Sequence, residues 1–260
     1  VPTNPLNYLW RLALTGVAFA ALGLGGFVLS VTAMPLAAAF ARDRSGKARL
    51  AQAVVHHSFR LYVAALKVVG LIRLEVSGAA RLGAMRGSLI VANHPTLLDV
   101  ALIMALVPRA CCVVKDELWR HTLLGRLVRL AGYVSNASEG ERFVAECRAV
   151  IEAGENLIIF PEGTRSRPGV GFRFQRGFAY VAALGRINVQ VITITCEPST
   201  LLKGQPWYRI PERAPQFRVA FGTEVEVAPF LDSRPPAIAV RNLVTHLETY
   251  YGERLAHERA

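Results

Sequence analysis

The sequence predicts an α/β fold, a mixed and mostly parallel sheet flanked by helices, preceded by an N-terminal membrane-embedded helical segment. Three observations predict it. Short runs rich in Val and Ile, bounded by turn residues, alternate with helical patterns. Two of those runs end in clusters of polar residues, as strands of an open α/β sheet do at the edge where ligands bind. The chain also opens with a long apolar stretch, and its mean hydropathy is +0.32.

That stretch runs from Leu12 to Ala41, thirty positions without a charge. A membrane span needs roughly 20 apolar residues, so it is long enough to enter a bilayer. Gly23, Gly25, Gly26 and the Met34-Pro35 step are helix breakers, and they predict a kinked span or a short hairpin. Arg42, Arg44, Lys47 and Arg49 follow at once, and the positive-inside tendency places the following domain on the cytoplasmic side. The division expected is residues 1–44 as membrane segment and 45–260 as catalytic domain.

Residues 47–69 carry apolar positions at helical spacing and read as an amphipathic helix, with His56-His57 as a solvated or interfacial pair. Strands are expected at 71–76, 88–93, 110–115, 132–136, 156–160, 189–195 and 217–227. Helices are expected at 97–107, 117–130, 139–153, 175–185 and 236–257. The Pro-rich stretches 203–215 and 233–236 read as surface loops.

Net charge is +11, from 30 basic and 19 acidic residues. That favours anionic partners: nucleic acid, an anionic bilayer, or an acidic carrier protein. The arginines are spread along the chain and no nucleic-acid motif is present, which argues against the first. The cysteines Cys111, Cys112, Cys147 and Cys196 form no CxxC pair, and no HExxH occurs. Buried free thiols are expected, and no metal site.

"SLIVAN" ends at Asn93, and His94 and Asp99 follow across a predicted strand-to-helix corner. An Asp accepting the imidazole Nδ1–H fixes the tautomer and leaves Nε2 as a base. The chain has no GxSxG elbow. A His-Asp pair without its own nucleophile suits activation of a substrate hydroxyl. The residues alone leave a second reading open, a turn histidine beside an aspartate favoured by the helix dipole. "NLIIFPEGTRS" repeats the pattern, with Glu162, Gly163, Thr164, Arg165 and Ser166 after an apolar run. Glycine lets backbone approach a ligand, and arginine presents a planar fork suited to phosphate. Lys115, at another strand end, lines a donor channel or is solvated.

Together "NHPTLLD" and "FPEGTRS", about 68 residues apart, resemble the HxxxxD and substrate-binding blocks of PlsC-type glycerolipid acyltransferases. "FQRG" (174–177) resembles a further element, with Gln175 where a Lys is usual. The resemblance covers about residues 70–200 and implies a glycerol-3-phosphate acyltransferase-like fold. It implies His94 as general base and Asp99 as its orienter, catalytic together. It implies Glu162, Gly163, Thr164 and Arg165 as substrate-binding, with Arg165 on the acceptor phosphate. No metal and no cofactor is implied; acyl-CoA or acyl carrier protein is the co-substrate, and the acceptor is a lysolipid such as lysophosphatidate. The location implied is the bacterial inner membrane, cytoplasmic face.

Two departures stand out. The family's Arg after a Gly-aromatic strand falls at about Ser138 here, with Arg142 several residues late, and "VQVITITCEP" lacks internal prolines. A divergent branch follows, whose acceptor is a non-phosphatidate lipid in specialised lipid biosynthesis, such as ornithine lipid or aryl polyene. A non-catalytic membrane scaffold is the alternative of a different class.

Overall fold

A computed structural model of the chain describes residues 5–32, 35–36, 39, 43–122, 124–138, 140–166, 169–232 and 235–257. Two long helices come first, α1 (Pro5–Val31) and α2 (Arg44–Val68). Then follow β1 (Arg73–Ser77), α3 (Ala79–Ala84), β2 (Leu89–Ala92), α4 (Asp99–Leu106), β3 (Ala110–Val114), α5 (Asp116–Arg120) and α6 (Leu124–Leu130). The remainder is β4 (Val134–Ser135), α7 (Gly140–Glu152), β5 (Asn156–Ile159), α8 (Gly177–Gly185), β6 (Val189–Glu197), β7 (Gln216–Val225), α9 (Ala228–Leu231) and α10 (Pro236–His257).

The strands form one seven-stranded sheet in the order β1-β7-β6-β2-β5-β3-β4. Every pairing is parallel except β6 with β7. The sheet is therefore mixed and mostly parallel, and helices flank it. β2 and β5 lie side by side at its centre, with Val91 opposite Ile159. Every residue of both strands is buried. Continuous apolar runs are what strands covered on both faces require. Each fully buried aliphatic side chain there contributes about 1.5–3 kcal/mol.

Polar residues splice the sheet where its strands end. The Asn93 side chain donates to the Ile194 carbonyl and accepts from the Ile194 amide, both at 2.8 Å. The Tyr251 hydroxyl of α10 lies 2.8 Å from the Val91 carbonyl and 3.1 Å from that of Ile192. Both contacts tie β2 to β6 just behind His94.

The strand and helix expectations hold in position, with boundary shifts of a few residues. Three differences have physical causes. The helix expected over 117–130 is two helices: His121 leaves helical geometry, and its Nδ1 meets the Leu124 amide at 3.4 Å as α6 begins. His56 is not solvated. It is half-buried, with Nδ1 2.8 Å from the Met104 carbonyl at the end of α4, and burial holds its pKa below the ordinary value.

The third difference concerns α1, which runs unbroken through Gly23, Gly25 and Gly26. A side chain at Gly26 would crowd Leu124, and Gly25 faces open space. These glycines make room for packing and a cavity rather than breaking the helix. The Met34-Pro35 kink falls partly outside the described residues. Among them, α1 is the one helix long and apolar enough to cross a membrane.

Candidate active site

The five mutually parallel strands end on one edge. His94 follows β2, Lys115 follows β3, Asn136 follows β4 and the Phe160–Ser166 turn follows β5. Parallel direction is what gathers residues so distant in sequence onto one rim.

The imidazole Nδ1 of His94 lies 2.8 Å from Asp99 Oδ2. A carboxylate accepts, so Nδ1 carries the hydrogen and Nε2 is the basic nitrogen left for a substrate. Asp99 is completely buried and the His94 side chain is 16% exposed, so the aspartate sits behind the ring. Asp99 is also held by Thr96, whose amide donates to Oδ2 and whose hydroxyl donates to Oδ1, each at 2.6 Å. Burial pushes the Asp99 carboxyl above its ordinary range, and its bonds to His94 and Thr96 oppose that rise. Phe160 covers the ring, with centroids 4.5 Å apart.

The second turn is bonded to the first. Glu162 Oε1 accepts the His94 backbone amide at 3.0 Å and the Ser166 hydroxyl at 2.7 Å. The Ser166 amide donates to the His94 carbonyl at 2.7 Å. Burial raises the Glu162 carboxyl, against the same donors. Gly163 has φ +64, left-handed backbone that suits glycine and lets the turn reverse here. Arg165 Nη1 donates to the carbonyls of Leu201 (2.9 Å) and Leu202 (3.0 Å), so one of its nitrogens anchors a loop.

An apolar cavity of about 700 Å³ opens beside this pair. His94, Gly163, Thr164, Arg165 and Lys115 line it at the rim, and α1, α2 and α6 wall it through residues such as Gly25, Phe59 and Leu127. Its volume is within the range of sites that enclose a small ligand.

The structure thus brings His94, Asp99, Glu162, Gly163, Thr164 and Arg165 together on one rim. Lys115 lines the cavity at its mouth and is exposed to solvent there. Arg142 does not join them: it pairs with Glu146 at 2.9 Å on α7, and Ser138 donates to the same carboxylate at 2.8 Å. Sequence reasoning missed Thr96 and Phe160, and it read Ser166 as a hydroxyl donor without its partner Glu162. The T-x-x-D spacing of Thr96 and Asp99 is a helix-start signal that points to the first. Among the described residues no cluster of His, Cys, Asp or Glu has the makings of a metal site.

A His-Asp pair with a buried aspartate, at a strand end beside an apolar cavity and in a chain without a GxSxG elbow, defines the class: an enzyme-like site for a hydroxyl acting on an apolar substrate. Comparison with known proteins places it further. Residues 73–197, β1 through β6, match the Acyltransferase family model. A 1-acyl-sn-glycerol-3-phosphate acyltransferase from Cocos nucifera is 36% identical over 111 residues, covering 40% of this chain and 36% of that protein. One from Helicobacter pylori is 29% identical over 129 residues, covering 47% and 53%. The chain therefore spans about half or less of the length of these relatives. The crystal structure of PlsC, the 1-acyl-sn-glycerophosphate acyltransferase from Thermotoga maritima, shares the fold. Its TM-score is 0.65 at 19% identity, covering 94% of this chain and 97% of that one. The region from β1 through β6 is thus similar to the Acyltransferase family, and the fold as a whole to that of PlsC.

Proposed function

We propose that the protein is a membrane-associated O-acyltransferase that moves a fatty acyl group from an acyl thioester to the hydroxyl of a lysophospholipid. The observation that carries this reading is the His94–Asp99 pair at the rim of the apolar cavity, with Lys115 and Arg165 beside it. The cavity takes the acyl chain. The two cations attract the phosphate of the acceptor.

The chemistry needs one proton shuttle. His94 Nε2 takes the proton of the acceptor hydroxyl as its oxygen attacks the thioester carbonyl. The C–S bond breaks when the tetrahedral intermediate collapses, and His94 returns the proton to the leaving thiolate. Asp99 keeps the ring in the correct tautomer and stabilises the imidazolium. The step uses no acyl-enzyme, metal or cofactor. Acyl-CoA or acyl carrier protein serves as donor.

Helix α1 supports the membrane part. Its Leu6, Trp10, Val17, Leu24, Val28 and Val31 are exposed and recur at helical spacing on one face. The other face touches the domain from Arg11 to Leu29, roughly 27 Å of helix. A helix held along its side lies in the interface plane. The bacterial inner membrane, cytoplasmic face, is the location proposed.

Lysophosphatidate is the acceptor that the relatives' names suggest. The second reading, a different hydroxylated lipid, is favoured by one observation: no arginine stands at Ser138, and Arg142 is turned to Glu146. Purified protein with radiolabelled acyl-CoA or acyl carrier protein, offered lysophosphatidate and other lysolipids, tests both. Labelled phosphatidate is the expected product. Transfer only to other lysolipids would overturn that acceptor, and a folded protein that transfers to none would be a scaffold.

A further inference from the structure

The loop between β6 and β7, residues 198–215, is a strap that joins the rim of the site to α1. At one end the Leu201 carbonyl accepts from the Leu97 amide at 3.3 Å and from Arg165 at 2.9 Å. Near the other, the carbonyls of Pro211 and Glu212 accept from Arg11 of α1, at 3.1 and 2.8 Å. The tip between them is internally bonded: the Gln205 side chain accepts from the Leu202 amide and donates to the Arg209 carbonyl.

This tip presents Trp207 and Tyr208, 43% and 58% exposed, with rings edge-to-face at 5.9 Å. Trp207 also packs on Phe19 at 5.9 Å and against Gly16. It therefore sits on the flank of α1, next to the exposed apolar stripe. Lys203, Arg209 and Arg213 are exposed around it, against the single carboxylate of Glu212. Exposed Trp and Tyr beside an apolar helix face, ringed by cations, match a boundary that is apolar on one side and anionic on the other.

We propose that the tip from Lys203 to Arg213 is a second membrane-contact element, seating Trp207 and Tyr208 among the headgroups of an anionic bilayer. The proposal rests on the interfacial reading of α1. Because the strap also holds Arg165 and Leu97, its seating sets the mouth of the site at the depth where a lysolipid hydroxyl lies.

Two single-tryptophan forms of the full chain test it. One carries W10F and W119F and keeps Trp207; the other carries W119F and W207F and keeps Trp10. Each is mixed with phosphatidylcholine–phosphatidylglycerol vesicles whose acyl chains are brominated near the headgroup. Both tryptophans are expected to lose emission relative to unbrominated vesicles. Quenching of Trp10 alone would leave the strap in water and overturn the proposal. Quenching of neither would overturn the membrane reading of α1, and the proposal with it. A third protein, with Lys203, Arg209 and Arg213 each changed to Glu and its tryptophans native, is expected to bind anionic vesicles severalfold more weakly. Unchanged binding would remove the electrostatic part of the strap's role.

Discussion

Glu162 Oε1 lies 3.0 Å from the backbone nitrogen of His94, a bond between residues 68 positions apart. It makes the two site turns one unit, because the same oxygen holds Ser166 and Ser166 bonds back to the His94 carbonyl. Glu162→Ala leaves a partly buried amide without its acceptor, at a cost of about 1 kcal/mol. A chain of this size is expected to lose about 2–4 °C in Tm for each kcal/mol. Glu162→Gln keeps an acceptor oxygen and is expected to lose less. Differential scanning fluorimetry checks both, and an alanine variant as stable as wild type would contradict the linkage.

Thr96 acts on His94 only through Asp99. Its hydroxyl bond to the buried carboxylate is charge-assisted and worth about 1.5–3 kcal/mol. Thr96→Val is expected to lower kcat roughly 10- to 100-fold with little change in KM. Thr96→Ser is expected to restore most of it. Equal loss in both variants would mean that the methyl, not the hydroxyl, is what matters.

The cavity wall at Gly25 offers a test of what the cavity holds. A side chain there meets no atom within 4 Å, and the helix gains roughly 0.5–1 kcal/mol on losing a glycine. Gly25→Leu is therefore expected to fold well and to shorten the acyl chain that is transferred. Competition between thioesters of different length, read by mass spectrometry of the product, checks this. An unchanged chain profile would place the acyl group elsewhere.

Burial lifts the thiols of Cys112, Cys147 and Cys196 to about 12 from a reference of 9.0. Above pH 9 the unfolded chain sheds these protons while the folded chain keeps them. The stability they contribute is complete below about pH 9 and is expected to decline as pH rises toward 12. Urea unfolding midpoints from pH 8 to 10.5 check the slope. Midpoints that stay level, or rise, would contradict it.

How much of this is written in the sequence depends on the range of the contact. Strand positions were legible because Leu89–Ala92 is apolar throughout and Asn156–Ile159 is apolar after its first residue, the signature of strands buried on both faces. His94 and Asp99 were legible because both sit on one strand-to-helix corner. The direction of β7 was not, since no local pattern encodes whether a strand runs with or against its neighbour. Gly25 and Gly26 read as breakers because the cavity and Leu124 lie outside their own segment. The hold of Leu201 on Arg165 joins two loops 36 residues apart, and loop-to-loop contacts leave no periodicity to read.

The central claim is that His94 Nε2 carries the proton of the acceptor. It is tested most directly by turnover of His94→Gln beside wild type, with the preferred donor and acceptor saturating and folding confirmed by circular dichroism. Loss of a positioned general base is expected to lower kcat by about 10²–10⁴, with both proteins bound to vesicles alike. A folded His94→Gln protein that turns over within a few fold of wild type would contradict the claim.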